Sequence, residues 1–139
     1  MTTVVASPTA AQRLAIGIPQ FCFLLASVTV IIGMALGLYM GAIKDHQLMP
    51  VHAHLNVIGW LSMFMVGLFY KAHPGTRGLL PTLQVSTMAA GYSVMTGALA
   101  VLLLKGGIAF LVGAFAGAIT LLISMIMFLV VVSSTVREQ

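Results

Sequence analysis

The chain has 139 residues, 60% hydrophobic and 6% charged, with a mean hydropathy of +1.14. A water-soluble domain carries about 25% charged residues, so this composition excludes one and describes an all-α integral membrane protein. The formal charge of +4 comes from six Lys/Arg against Asp45 and Glu138; all lie near span ends, which points to membrane orientation and not to a nucleic-acid partner.

The residues before Arg13 are rich in Thr, Ala and Ser and carry no positive charge. A cleaved signal peptide needs a basic start, so the first apolar run is expected to be a retained span. A span needs about 20 apolar residues, and four runs are long enough. They extend from about Leu14 to Met40, His52 to Ala72, Leu80 to Leu104 and Gly107 to Ser133. The expected architecture is a single four-helix transmembrane domain. Pro74-Gly75 and Gly106-Gly107 supply turn chemistry between spans. Gly33, Gly37 and Gly41 in the first span, and Gly113 and Gly117 in the fourth, are spaced for close helix packing.

Lys/Arg counting sets the orientation. Arg13, Lys71, Arg77 and Arg137 fall on one side, Lys44 and Lys105 on the other. The richer side faces the cytoplasm, so both termini are expected inside. The start of the second span is then at the outer face.

That start reads His52-Ala53-His54-Leu55-Asn56, followed by Gly59-Trp60. Ionisable residues inside a span are expensive and mark function by default. On a helix, positions i and i+2 lie roughly 200° apart and about 3 Å apart along the axis. His52 and His54 therefore do not share one metal but address different neighbours at one depth. Neutral imidazole is a standard axial ligand of haem iron. Lys44 and Lys105 sit where haem propionates would need cations, and Asn56 lies one turn from His52, placed to orient it. The other reading is that the two histidines are polar residues capping a helix at the interface. The single Cys22 excludes an internal disulfide and a thioether-linked haem.

The stretch resembles the second transmembrane helix of haem–copper oxidase catalytic subunits and their nitric oxide reductase relatives. In that family a histidine on the second helix, near the outer face, ligates the low-spin haem. The family's tenth helix carries His-x-His, whose two members ligate two different haems. The family subunit has twelve helices in three four-helix pseudo-repeats, so the resemblance implies a homotrimer of this chain. Each interface would hold one haem b between His52 of one protomer and His54 of its neighbour.

The chain departs from the family elsewhere. It has no His-His pair and no His-Pro-Glu-Val stretch, and its carboxylates are not deep. The resemblance therefore implies neither the copper site nor oxygen reduction by that mechanism. Bis-histidine haem suits one-electron transfer, with a redox partner on the outer face of what is expected to be a prokaryotic cell membrane. A haem or gas sensor, a haem carrier, and a metal transporter or cofactor-free assembly subunit are the competing classes.

The remaining candidates read more plainly. His46 is expected to be a solvated loop residue and His73-Pro74 a helix terminator. Met63, Met65, Met125 and Met127 are embedded in apolar runs, where thioethers fill gaps. Tyr92 and Trp60 lie deeper than Tyr39 and Tyr70 and are candidates to line a porphyrin or an electron path.

Overall fold

Prolines near two helix starts help set the boundaries of the first hairpin. A proline in the first turn sacrifices no hydrogen bond, because the N–H there has no intrahelical partner. Helix α1, Ile18–Ile43, opens with Pro19 in its first turn. Helix α2, Met49–Ala72, opens with Pro50. Helices α3, Leu79–Lys105, and α4, Ile108–Arg137, complete the chain. The structure, a computed structural model, describes residues 17–137, and no strand occurs among them. Arg13, Glu138 and the expected beginning of the first span at Leu14 lie outside the described residues.

All four helices are long and apolar enough to cross a membrane. Their boundaries differ modestly from expectation. The end of α4 lies at Arg137 and not at Ser133, and α2 begins at Met49 and not at His52. Pro50 presets a helical φ, so the helix starts upstream of the histidines.

Connections use the left-handed region where the chain must turn. Gly78, before α3, has φ +127°; Gly106 and Gly107, between α3 and α4, have φ +71° and +107°. Lys44, ending α1, adopts φ 56° without being glycine. That conformation normally favours glycine because it crowds a Cβ.

Helix α2 is not a uniform α-helix. Leu55–Ser62 winds as a π-helix between two α-helical segments. Such wide turns are uncommon and concentrate at functional sites. Side-chain donors accompany this one at both ends. Asn56 Nδ2 donates to the His52 carbonyl at 2.8 Å, and Ser62 Oγ donates to the Val57 carbonyl at 2.9 Å.

The helices pair as two hairpins. In α3/α4 a Cβ on Gly91 would meet the Gly117 carbonyl at 2.9 Å. A Cβ on Gly117 would in turn meet the Gly91 carbonyl at 2.7 Å and the backbone of Met95. These helices therefore meet backbone to backbone, as small residues permit in lipid. In α1/α2 a Cβ on Gly67 would instead meet the side chains of Cys22 and Phe23. The outer surface is apolar, with Leu38, Ile108 and Leu129 strongly exposed. That is the surface a lipid-embedded bundle presents.

A buried polar chain joins the hairpins. Tyr70 Oη donates to Gln84 Oε1 at 3.0 Å, Gln84 Nε2 donates to Ser124 Oγ at 3.1 Å, and Ser124 Oγ donates to the Gln84 carbonyl at 2.8 Å. Gln84 and Ser124 have no exposed surface. In lipid an unsatisfied amide is expensive, so Gln84 holds α2, α3 and α4 in one register. Phe69 adds an edge contact to Phe128, with ring centroids 5.2 Å apart.

Both ends of the bundle are tied across helices. Gln47 Nε2 donates to the Leu103 carbonyl at 2.6 Å, which groups Lys44, Asp45 and His46 with Lys105. Thr76 and Thr135 hydroxyls lie 3.3 Å apart, grouping Lys71 and Arg77 with Arg137. The charge segregation expected from counting therefore holds for the described residues.

Candidate functional site

His52 is held by a neighbouring helix. Its Nδ1 lies 2.8 Å from the Gly33 carbonyl of α1. A carbonyl only accepts, so Nδ1 carries the proton and Nε2 is left to offer its lone pair. The ring stacks over Gly37, where an added Cβ would meet Cε1 at 2.7 Å. Asn56 fills the equivalent space over Gly33, where a Cβ would meet Nδ2 at 2.8 Å. Its Nδ2 lies 3.4 Å from Nδ1 and 3.5 Å from Nε2 of His52; with Nδ1 already donating, only Nε2 can accept from this amide, so Asn56 is bonded to the backbone of His52 and packed against its ring.

His54 is organised within its own helix. Its Nδ1 donates to the Pro50 carbonyl at 2.6 Å, again directing the proton to Nδ1 and leaving Nε2 available. Both residues are half-buried. They lie in the α-helical segment Met49–His54, before the π-helix. The local back-bond is not special to this site: His73 Nδ1 donates to the Phe69 carbonyl at 2.9 Å in the same way. What separates His52 is a partner on another helix.

The other expected residues are placed as follows. Lys44 and Lys105 are exposed at the same end of the bundle as His52. Trp60 is 41% exposed on the outer face of α2 and does not line the interior of the chain. Tyr92 is buried, with its ring against Gly59. His46 is exposed in the α1–α2 connection, and His73 caps the end of α2. Tyr70 is part of the buried polar chain. Met63 is fully buried as a gap-filler, whereas Met65 faces outward. Among the described residues no three His, Cys, Asp or Glu side chains gather as a metal-ion cluster.

Two features of this candidate site escape reading from sequence. The Gly33 carbonyl as the His52 partner is one. A signal for it exists: Gly33/Gly37 and Asn56/His52 are both four-residue pairs, matching in an antiparallel hairpin. The π-helix is the other, and apolar periodicity over so short a stretch does not announce it. Thr96 Oγ1, on α3, is the only buried side-chain polar atom among the described residues without a hydrogen-bond partner.

No family model matches the chain, and no curated protein or solved structure proves similar to it.

Proposed function

We propose that the chain is a haem b-binding membrane protein of electron transfer, with His52 and His54 as axial ligands. The observation that carries this reading is the His52 Nδ1–Gly33 carbonyl bond. Metal-ligating histidines characteristically donate their other ring N–H in this way, which fixes the ring and raises the basicity of the free nitrogen. The Asn56 amide lies 3.5 Å from Nε2 and turns aside for that nitrogen to ligate iron. Because i and i+2 diverge on a helix, the two imidazoles serve different haems.

A homotrimer satisfies that divergence, with His52 of one protomer and His54 of the next flanking one haem at each interface. Lys44 and Lys105, exposed at the same end, supply cations for propionates. When bound, a haem with two imidazole ligands exchanges single electrons and leaves no open coordination position. The Lys/Arg-richer end is assigned to the cytoplasm of a prokaryotic cell membrane, which puts the histidines near the outer face and a redox partner there.

The test is one optical spectrum of purified protein with a pyridine haem assay per chain. A low-spin spectrum lost in His52→Ala and in His54→Ala is expected, and unchanged spectra in both variants overturn the ligand assignment. A mass in detergent corresponding to a monomer with full haem removes the interface arrangement. Rapid carbon monoxide binding by the reduced protein assigns the site to a sensor or carrier instead.

A further inference from the structure

The opposite end of the bundle carries a second feature, independent of the histidines. A cavity of about 770 Å³ opens between the N-terminal ends of α1 and α3 and the C-terminal end of α2. Its walls include Lys71, Arg77, Gln20, Thr76 and Thr82. Neither helix that begins there has an acidic residue in its first turn. The positive ends of two helix dipoles and two cationic side chains thus act on one space. Lys71 is steered to the rim by Phe23, whose ring centroid lies 5.8 Å from Nζ.

A smaller apolar groove of about 190 Å³ is lined by Phe21, Val85 and Ser86. Ile18 and Thr82 line both spaces, so the two adjoin between α1 and α3. A cationic chamber at a helix-end boundary, next to an apolar cleft within the span, has the polarity of an anionic phospholipid. Its phosphate matches the chamber and its acyl chain the groove. We propose that one anionic phospholipid binds here, with its phosphate between Lys71 and Arg77 and an acyl chain along Phe21 and Val85. The groove distinguishes this from a site for a free anion, which has no use for an apolar extension. Hydroxyls of Thr76 and Thr82 and the amide of Gln20 complete the polar wall.

Native mass spectrometry of the full chain in detergent, with equal phosphatidylglycerol and phosphatidylcholine added, tests the assignment. Each cation near an anionic lipid is worth roughly fivefold in binding. Wild type is expected to retain phosphatidylglycerol about thirtyfold over phosphatidylcholine, following from two such contributions. Arg77→Gln is expected to lower that ratio about fivefold, and Lys71→Gln with Arg77→Gln to bring it near unity. Ser86→Trp, which fills the groove from an exposed position, is expected to weaken retention of phosphatidylglycerol. A ratio near unity in wild type overturns the proposal, as does an unchanged ratio in the double variant of Lys71 and Arg77. Displacement of the lipid by millimolar inorganic phosphate, with Ser86→Trp indistinguishable from wild type, assigns the chamber to a free anion and overturns the lipid. Circular dichroism and monodisperse elution establish that each variant is folded; should the double variant fail, Arg77→Gln alone carries the test.

Discussion

The two hairpins use glycine for opposite purposes. In α3/α4, Gly91 and Gly117 bring two backbones together, and a Cβ on either would strike a main-chain carbonyl. In α1/α2, Gly33 and Gly37 keep room for polar side chains, and a Cβ there would strike Asn56 or His52. The first arrangement locks a pair of helices by dispersion and close approach. The second holds an imidazole and an amide against a carbonyl inside an apolar bundle. One hairpin is therefore closed backbone to backbone, and the other encloses polar side chains next to a π-helical segment.

Breaking the backbone-to-backbone hairpin is expected to have the largest effect. Gly117→Val forces α3 and α4 apart, where overpacking costs about 3 kcal/mol; thermal unfolding in detergent is expected to show a large fall in midpoint. A variant as stable as wild type would mean that the backbones do not touch. Next comes the joint between the hairpins. Gln84→Leu removes the acceptor for Tyr70 and the donor to Ser124 while keeping volume, at about 1–2 kcal/mol. Its midpoint is expected to fall less than that of Gly117→Val and more than that of Ser124→Ala, which keeps the Tyr70–Gln84 bond.

A smaller effect on stability, and a larger one on function, is expected in the other hairpin. Gly37→Ala pushes the His52 ring aside by crowding Cε1, at about 1 kcal/mol. If His52 ligates haem, the spectrum is expected to weaken while the helical content stays. Gly41→Ala is the matched control, since an added Cβ there meets nothing within 4 Å. The exchange of glycine for alanine in a helix interior stabilises by about 0.5–1 kcal/mol. An equal loss of haem in both variants would separate the site from the His52–Gly37 contact.

Much of this molecule is legible in the chain. Four apolar runs, two Gly-containing turns and the segregation of Lys and Arg follow from the requirement that lipid-facing segments be long, apolar and internally hydrogen-bonded. His52, His54 and Asn56 stand out because polar groups are costly in a span. Other features were less legible. Gln84 is one amide in an apolar helix, and nothing local says that it meets Tyr70 and Ser124. Trp60, a candidate to line a porphyrin or an electron path, lies on the outer face of α2, in a turn wound as π-helix whose direction cannot be counted at 3.6 residues per turn.

Residue types and their spacing were enough to determine that this chain has four helices long and apolar enough to cross a membrane, and where ionisable groups interrupt its apolar runs. Those outcomes depend on transfer from water to lipid, which each segment undergoes by itself. Which carbonyl receives the His52 proton, which glycine admits a side chain and which admits a backbone, and where two cations and an apolar groove adjoin, came only from packing. Those outcomes depend on the distance between atoms far apart in the chain, which is set when helices settle into a common register.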